Sequence, residues 1–180
     1  EETPDPFPPS YYLPIQTNDL PGRPPGPPVE AESVVLLDVD YGVTLYEKNA
    51  HQKQYPASIT KIMTALLTVE NANLSDVVTF SETAVYGIEP GSSHIGIDVG
   101  EQLTVEQSLY GLMLASANEV AMGLAEHVAG SVEAFVDMMN QRAQELGCKD
   151  THFVNPHGLH DENHYTTAYD MALIAKAAYQ

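Results

Sequence analysis

The chain is poor in three things. It has one cysteine, few cations and no long apolar run. With Cys148 alone, no intrachain disulfide can form, so the fold does not depend on one. Cys148 follows Gly147 near an expected helix end, with no base motif beside it, and reads as a buried or bystander thiol. Lysine and arginine together number 7 against 25 acids, a formal net charge of -18. So few cations cannot build a phosphate-reading surface, which excludes nucleic acid as a partner. The acidity itself reads as solubility and self-repulsion. No apolar stretch approaches the roughly 20 residues that span a bilayer. Nor does a signal sequence open the chain: Glu1 begins an acidic, proline-rich stretch, so a leader is expected either never to have existed or to have been removed.

The 180 residues, 43% of them hydrophobic, are enough for one domain with a real core. Ten of the 13 prolines fall between residues 4 and 28. Such a stretch lacks amide donors and favours polyproline II, so residues 1–29 read as an arm. Tyr11, Tyr12 and Leu13 are its expected anchors. Folded structure is expected over residues 30–180.

Residues 33–39 and 43–46 are β-rich runs around Tyr41-Gly42, a hairpin signal with a two-residue turn. Helical spacing follows in Ile59, Ile62, Met63, Leu66 and Leu67, which puts Ser58 at a helix start. Residues 77–80 read as a short strand. Thr104 with Gln107 forms a capping box ahead of Leu109, Leu112 and Leu114. Residues 119–128 read as a helix, and Ser131 can cap another through Leu146 and Gly147. Thr167 with Asp170 starts a last helix through Tyr179. Two strands do not make a stable sheet, so the sheet is expected to be incomplete.

Ser58-Ile59-Thr60-Lys61 carries chemistry. On a helix, residues three apart share a face, with Cβ atoms about 5–6 Å apart. A serine needs a base to become a nucleophile, and a desolvated lysine can be that base. Ser116-Ala117-Asn118 lies beyond the following helix. A second hydroxyl can relay a proton, and an asparagine amide can both donate to and accept from a peptide. Taken singly, the first pattern is a common coincidence and the second a helix junction where Ser and Asn cap. Together, 58 residues apart and in this order, they match two of the three motifs S-x-x-K, S-D-N and K-T-G.

The segments 56–64, 37–49, 114–119, 135–140, 151–159 and 165–172 resemble low-molecular-mass D-alanyl-D-alanine carboxypeptidases of the penicillin-binding type. The resemblance runs from about residue 32 to the end. It implies an α+β, penicillin-binding-protein/β-lactamase-like transpeptidase fold, a helical subdomain with an incomplete antiparallel sheet. It also implies an extracytoplasmic bacterial hydrolase acting on peptidoglycan stem peptides, open to β-lactams and free of any cofactor. Under it, Ser58 attacks the carbonyl of the penultimate D-alanine. Lys61, expected neutral at working pH, takes the proton, and Ser116 passes it to the leaving D-alanine. Asn118 holds the substrate amide, and the backbone N–H of Ser58 supplies one arm of an oxyanion hole.

Lys-Thr-Gly occurs nowhere in the sequence. In the family that strand completes the sheet, so the expectation is a C-terminal remainder of the same domain that carries it. Two alternatives stay open. A class A-like β-lactamase would need a glutamate on a loop some 35 residues past the second motif, yet Asp150 is the only acid in residues 148–160. A catalytically weak penicillin-binding sensor or wall-binding protein is the other. Four histidines, at 152, 157, 160 and 164, crowd the tail. Pro156, Gly158 and Asn163 argue for a loop there, with His157 a structural residue near the cleft and no metal site.

Overall fold

The structure is a computed structural model, and it describes residues 16–17, 22 and 26–180. Strand β1 (Gln16–Thr17), β2 (Val34–Leu37) and β3 (Thr44–Lys48) form an antiparallel sheet in the order β1-β3-β2. A 3-10 turn, Ala57–Thr60, leads into α1 (Lys61–Asn71). Then come β4 (Val77–Thr79), α2 (Glu82–Tyr86), β5 (Gln102–Thr104) and α3 (Val105–Leu114). The chain ends with α4 (Asn118–Ala129), α5 (Val132–Glu145) and α6 (Ala168–Tyr179). Strands β4 and β5 pair antiparallel as a second small sheet.

The helices start where local capping dictates. Thr104 and Gln107 form the reciprocal capping box at α3. The side chains of Ser131 and Thr167 accept from Ala134 N and Asp170 N at the starts of α5 and α6. Helix α4 differs, since Ala117 offers no side-chain cap. Its first amide instead donates to Ser93 O at 2.8 Å, a partner from a distant loop. Residues 118–125 of α4 are all buried, because α4 lies between two apolar clusters. On one side are Met63, Leu67, Phe135, Met139, Phe153 and Ile174. On the other are Val78, Phe80, Ala84, Ile97, Val105 and Leu112. Fully burying one such side chain contributes about 1.5–3 kcal/mol, so this central helix is fixed from both sides.

The sheet departs from the expected hairpin. Strand β2 stops at Leu37 after a register shift, and residues 38–43 form a six-residue connection instead of a two-residue turn. Asp38 is the reason. Its carboxylate accepts from Tyr41 N, its carbonyl from Gly42 N and its amide donates to Val43 O, which closes the wider loop. Gly42 takes φ 66°, as the loop requires.

The strand count also differs, because part of the proline-rich arm joins β3 as β1. Pro27 O accepts from the Tyr46 hydroxyl and Val29 O from Lys48 Nζ, so residues 26–29 lie on β3 as well. The expected anchors Tyr11, Tyr12 and Leu13 fall outside the described residues. Among the described residues β2 is a sheet edge. Between it, Ile59, Ile62 and α6 runs an apolar groove of about 590 Å³.

Candidate active site

Ser58 sits in the 3-10 turn and is exposed, while Lys61, one turn on, opens α1 and is only 2% exposed. The turn is held in an unusual shape. Ala57 has φ 49°, a left-handed conformation that costs a non-glycine residue about 1 kcal/mol or more. Gly158 explains how it persists. Its backbone packs directly on the Ala57 carbonyl, and a Cβ there would sit 2.9 Å from Thr60 Oγ1 and still closer to Ala57 O. Gly158 itself has φ 90°, so the position excludes side chains on two counts.

We expect Gly158→Ala to move the 57–60 turn, speed amide exchange there, and lower the melting temperature by several degrees. Amide exchange over residues 57–60 and a thermal melt check this. A variant unchanged in both would show that the close contact does not hold the turn.

Two polar contacts reinforce the turn from the tail. Thr60 Oγ1 lies 2.8 Å from His164 Nε2, and Thr64 Oγ1 donates to Pro156 O at 2.6 Å. His164 Nδ1 accepts from Val154 N, which leaves the proton on Nε2 to donate to Thr60. The four tail histidines lie outside the helices, as Pro156, Gly158 and Asn163 imply. His152 and His160 are exposed, while His157 and His164 are buried in packing roles. Burial holds both buried rings well below the ordinary imidazole range, at about 4. His157 Nδ1 accepts from Leu159 N, in keeping with a neutral ring.

Lys61 Nζ donates to Asn118 Oδ1 at 2.7 Å and to the His157 carbonyl at 2.8 Å. Those partners come from 57 and 96 residues away. Burial pulls the ammonium down to about 8, partly opposed by the negative charge of Glu119. At pH 7 most of the amine is therefore still protonated, so full neutrality comes only on the alkaline side of the sequence expectation.

Ser116 follows α3 with φ 55°, a second strained position. Its Oγ is buried without a hydrogen-bond partner among the described residues. Among the described residues, Asn49, Ala57 and Ser116 carry strained non-glycine backbone, and two of these three adjoin or belong to the sequence motifs.

The fold thus gathers Lys61 and Asn118 into direct contact, sets Ser58 one turn before Lys61, and places Ser116 at the start of the turn that delivers Asn118. Sequence reasoning missed the His157 carbonyl as a Lys61 partner, since a backbone atom leaves no trace in residue type. It also missed Glu119. This side chain is 2% exposed, and its Oε1 accepts from Ile95 N at 2.7 Å and Gly96 N at 3.2 Å. An acid directly after the S-x-N motif, at the head of an apolar run from Val120 to Ala125, was the available signal.

A helical core with a lysine-bearing helix start facing a second, asparagine-bearing turn, flanked by a small antiparallel sheet, defines the penicillin-binding-protein fold class. The sequence pattern of the D-alanyl-D-alanine carboxypeptidase family matches residues 21–180, and the chain belongs to that family. It is 46% identical over 152 residues to D-alanyl-D-alanine carboxypeptidase DacF of Bacillus subtilis, covering 82% of this chain and 38% of that protein. It is 39% identical over 153 residues to D-alanyl-D-alanine carboxypeptidase DacA of Haemophilus influenzae, covering 82% and 39%. Among solved structures, penicillin binding protein 6B from Escherichia coli superposes with a TM-score of 0.83 at 34% identity, over 91% of this chain and 54% of that one. The chain therefore spans about two-fifths of the length of these curated relatives.

Proposed function

We propose that the protein is a serine D,D-carboxypeptidase that removes the terminal D-alanine from peptidoglycan stem pentapeptides. The observation that carries this reading is the environment of Lys61. A neutral amine has two N–H groups and one lone pair. In the free-amine form, which gains ground as the pH passes about 8, Asn118 Oδ1 and His157 O take both N–H directions and leave the lone pair to accept a proton. A buried lysine in that state, one turn after an exposed serine, is arranged as a general base.

In this reading Ser58 Oγ attacks the carbonyl carbon of the penultimate D-alanine, and Lys61 takes the hydroxyl proton. The amide C–N bond breaks, and the departing D-alanine amine receives the proton by way of Ser116. Water then hydrolyses the ester, which restores Ser58 and releases the shortened stem peptide. Asn118 has two tasks, accepting from Lys61 and offering its NH₂ to the substrate amide. The Ser58 N–H donates to the developing oxyanion. A β-lactam acylates the same serine by opening its ring amide. The substrate places the protein outside the cytoplasm, at the cell envelope. No described helix is long and apolar enough to cross a membrane.

The second oxyanion donor and the cation for the substrate carboxylate are assigned to a Lys-Thr-Gly strand beyond these 180 residues. The open β2 edge and the apolar groove beside it support a seat for that strand's part of the domain. The test is incubation of the complete gene product with diacetyl-Lys-D-Ala-D-Ala. Stoichiometric release of D-alanine, blocked by penicillin, is the expected result. Turnover of β-lactam without D-alanine release would favour a β-lactamase, and neither activity would favour a sensor.

A further inference from the structure

A carboxylate sits buried one residue beyond Asn118, the side chain that accepts from Lys61. Glu119 is the second residue of α4, next to Asn118, and its Oε1 receives two backbone amides from the loop over residues 92–97. The same loop takes the Asn118 amide through Ser93 O. Three hydrogen bonds thus tie this loop, exposed from Ser93 to Gly96, to the segment that carries Ser116 and Asn118. Two of them end on an ionised acceptor, and such bonds are roughly twice as strong as neutral ones. The other oxygen, Oε2, is buried with no partner among the described residues. A carboxylate half satisfied at 2% exposure is costly to keep, which points to a use for its charge.

We propose that Glu119 is a positioning residue with two tasks: it fastens residues 92–97 to the 116–118 turn, and it holds a fixed negative charge against which Lys61 becomes an ammonium on taking the Ser58 proton. The inference rests on the proposed acyl transfer. Taking up a proton in a dry site is unfavourable for a lysine unless an opposite charge is already in place. Asn118 lies between the two groups in sequence and gives Lys61 a dipole, not a charge. The other titratable groups facing Lys61 come from the tail loop. His157 presents its carbonyl to Nζ, and His164 reaches Thr60. Both rings are neutral above about pH 5, held there by burial. The charge acting on Lys61 is that of Glu119. Its part resembles that of the buried aspartate in a serine-protease triad, which stabilises the cation formed by the base without taking the proton itself.

Glu119→Gln separates the two tasks. It keeps a carbonyl oxygen for the Ile95 and Gly96 amides and removes the charge. In the complete gene product, the rate of acylation by a fluorescent penicillin is followed from pH 5 to 9. Wild type rises with a midpoint near 8, where burial and Glu119 together set the amine. The E119Q midpoint moves to lower pH, and its plateau rate falls roughly tenfold. Glu119→Asp keeps the charge and shortens the reach. Its midpoint stays at the wild-type value, while amide exchange at residues 95 and 96 accelerates.

A purely structural glutamate would leave the E119Q midpoint unmoved, and that result overturns the proposal. If E119Q does not fold, E119D decides: a midpoint displaced with the charge retained overturns it equally. Labelling of Ser58→Ala is the control for the acyl transfer itself. If that variant is still labelled, the proposed function fails. If it is unlabelled and E119Q is unshifted, only the role of Glu119 fails.

Discussion

Ser58→Ala is expected to abolish covalent labelling by penicillin and release of D-alanine in the complete gene product. Among the described residues, neither the second hydroxyl of the site nor the thiol can replace the one that is lost. Ser116 Oγ is buried, and its residue is locked in a strained conformation. Cys148, the only thiol, is also buried, and burial with the neighbouring Asp170 charge pushes it up to about 12. A thiol held that high is not a nucleophile at neutral pH. Ser58 by contrast is exposed on a turn whose backbone is held out of the ordinary helical shape at Ala57. Exposed Ser58 makes few contacts to lose, so the variant should melt within about a degree or two of wild type. Mass spectrometry of the penicillin-treated variant checks the outcome. Stoichiometric adduct on Ser58→Ala would remove the serine from the mechanism.

Lys61→Ala is expected to slow acylation by about 10²–10⁴-fold, the usual contribution of a positioned general base. The sign of the pH dependence follows from the active form. Lys61 works as the free amine, so the wild-type rate should be low at pH 6, climb through about 8 and level off above it. An unperturbed lysine near 10.4 would still be climbing at pH 9. Lys61→Ala should lose the climb along with the rate. Lys61→Arg restores the cation but not the base, because a guanidinium stays protonated, and it should be as slow as the alanine variant. Stopped-flow acylation across pH 5 to 9 reads all three. A flat wild-type profile, or an active Lys61→Arg, would show that the lysine acts only as a charge.

What the amino-acid order determined by itself is local. The caps at Thr104, Ser131 and Thr167 were legible because each bonds an amide three residues on. Their letters therefore lie side by side in the chain. The Ser58–Lys61 spacing was legible for the same reason, since one helical turn converts a separation of three into a shared face.

The wider hairpin connection was not legible, because an Asp38 side chain outcompeted the turn that Tyr41-Gly42 signals. The strand within the proline-rich arm was hidden too, since its pairing partner lies some 30 residues away on β3. The site divides in the same way. Sequence named Ser58, Lys61, Ser116 and Asn118. Tertiary structure alone set the strained backbone at Ala57 and Ser116, the acceptors of Lys61 and the charge behind it. Those features depend on burial and on contacts that cross 57 to 96 residues. No periodicity encodes them, because desolvation is a property of the packed core and not of any one residue.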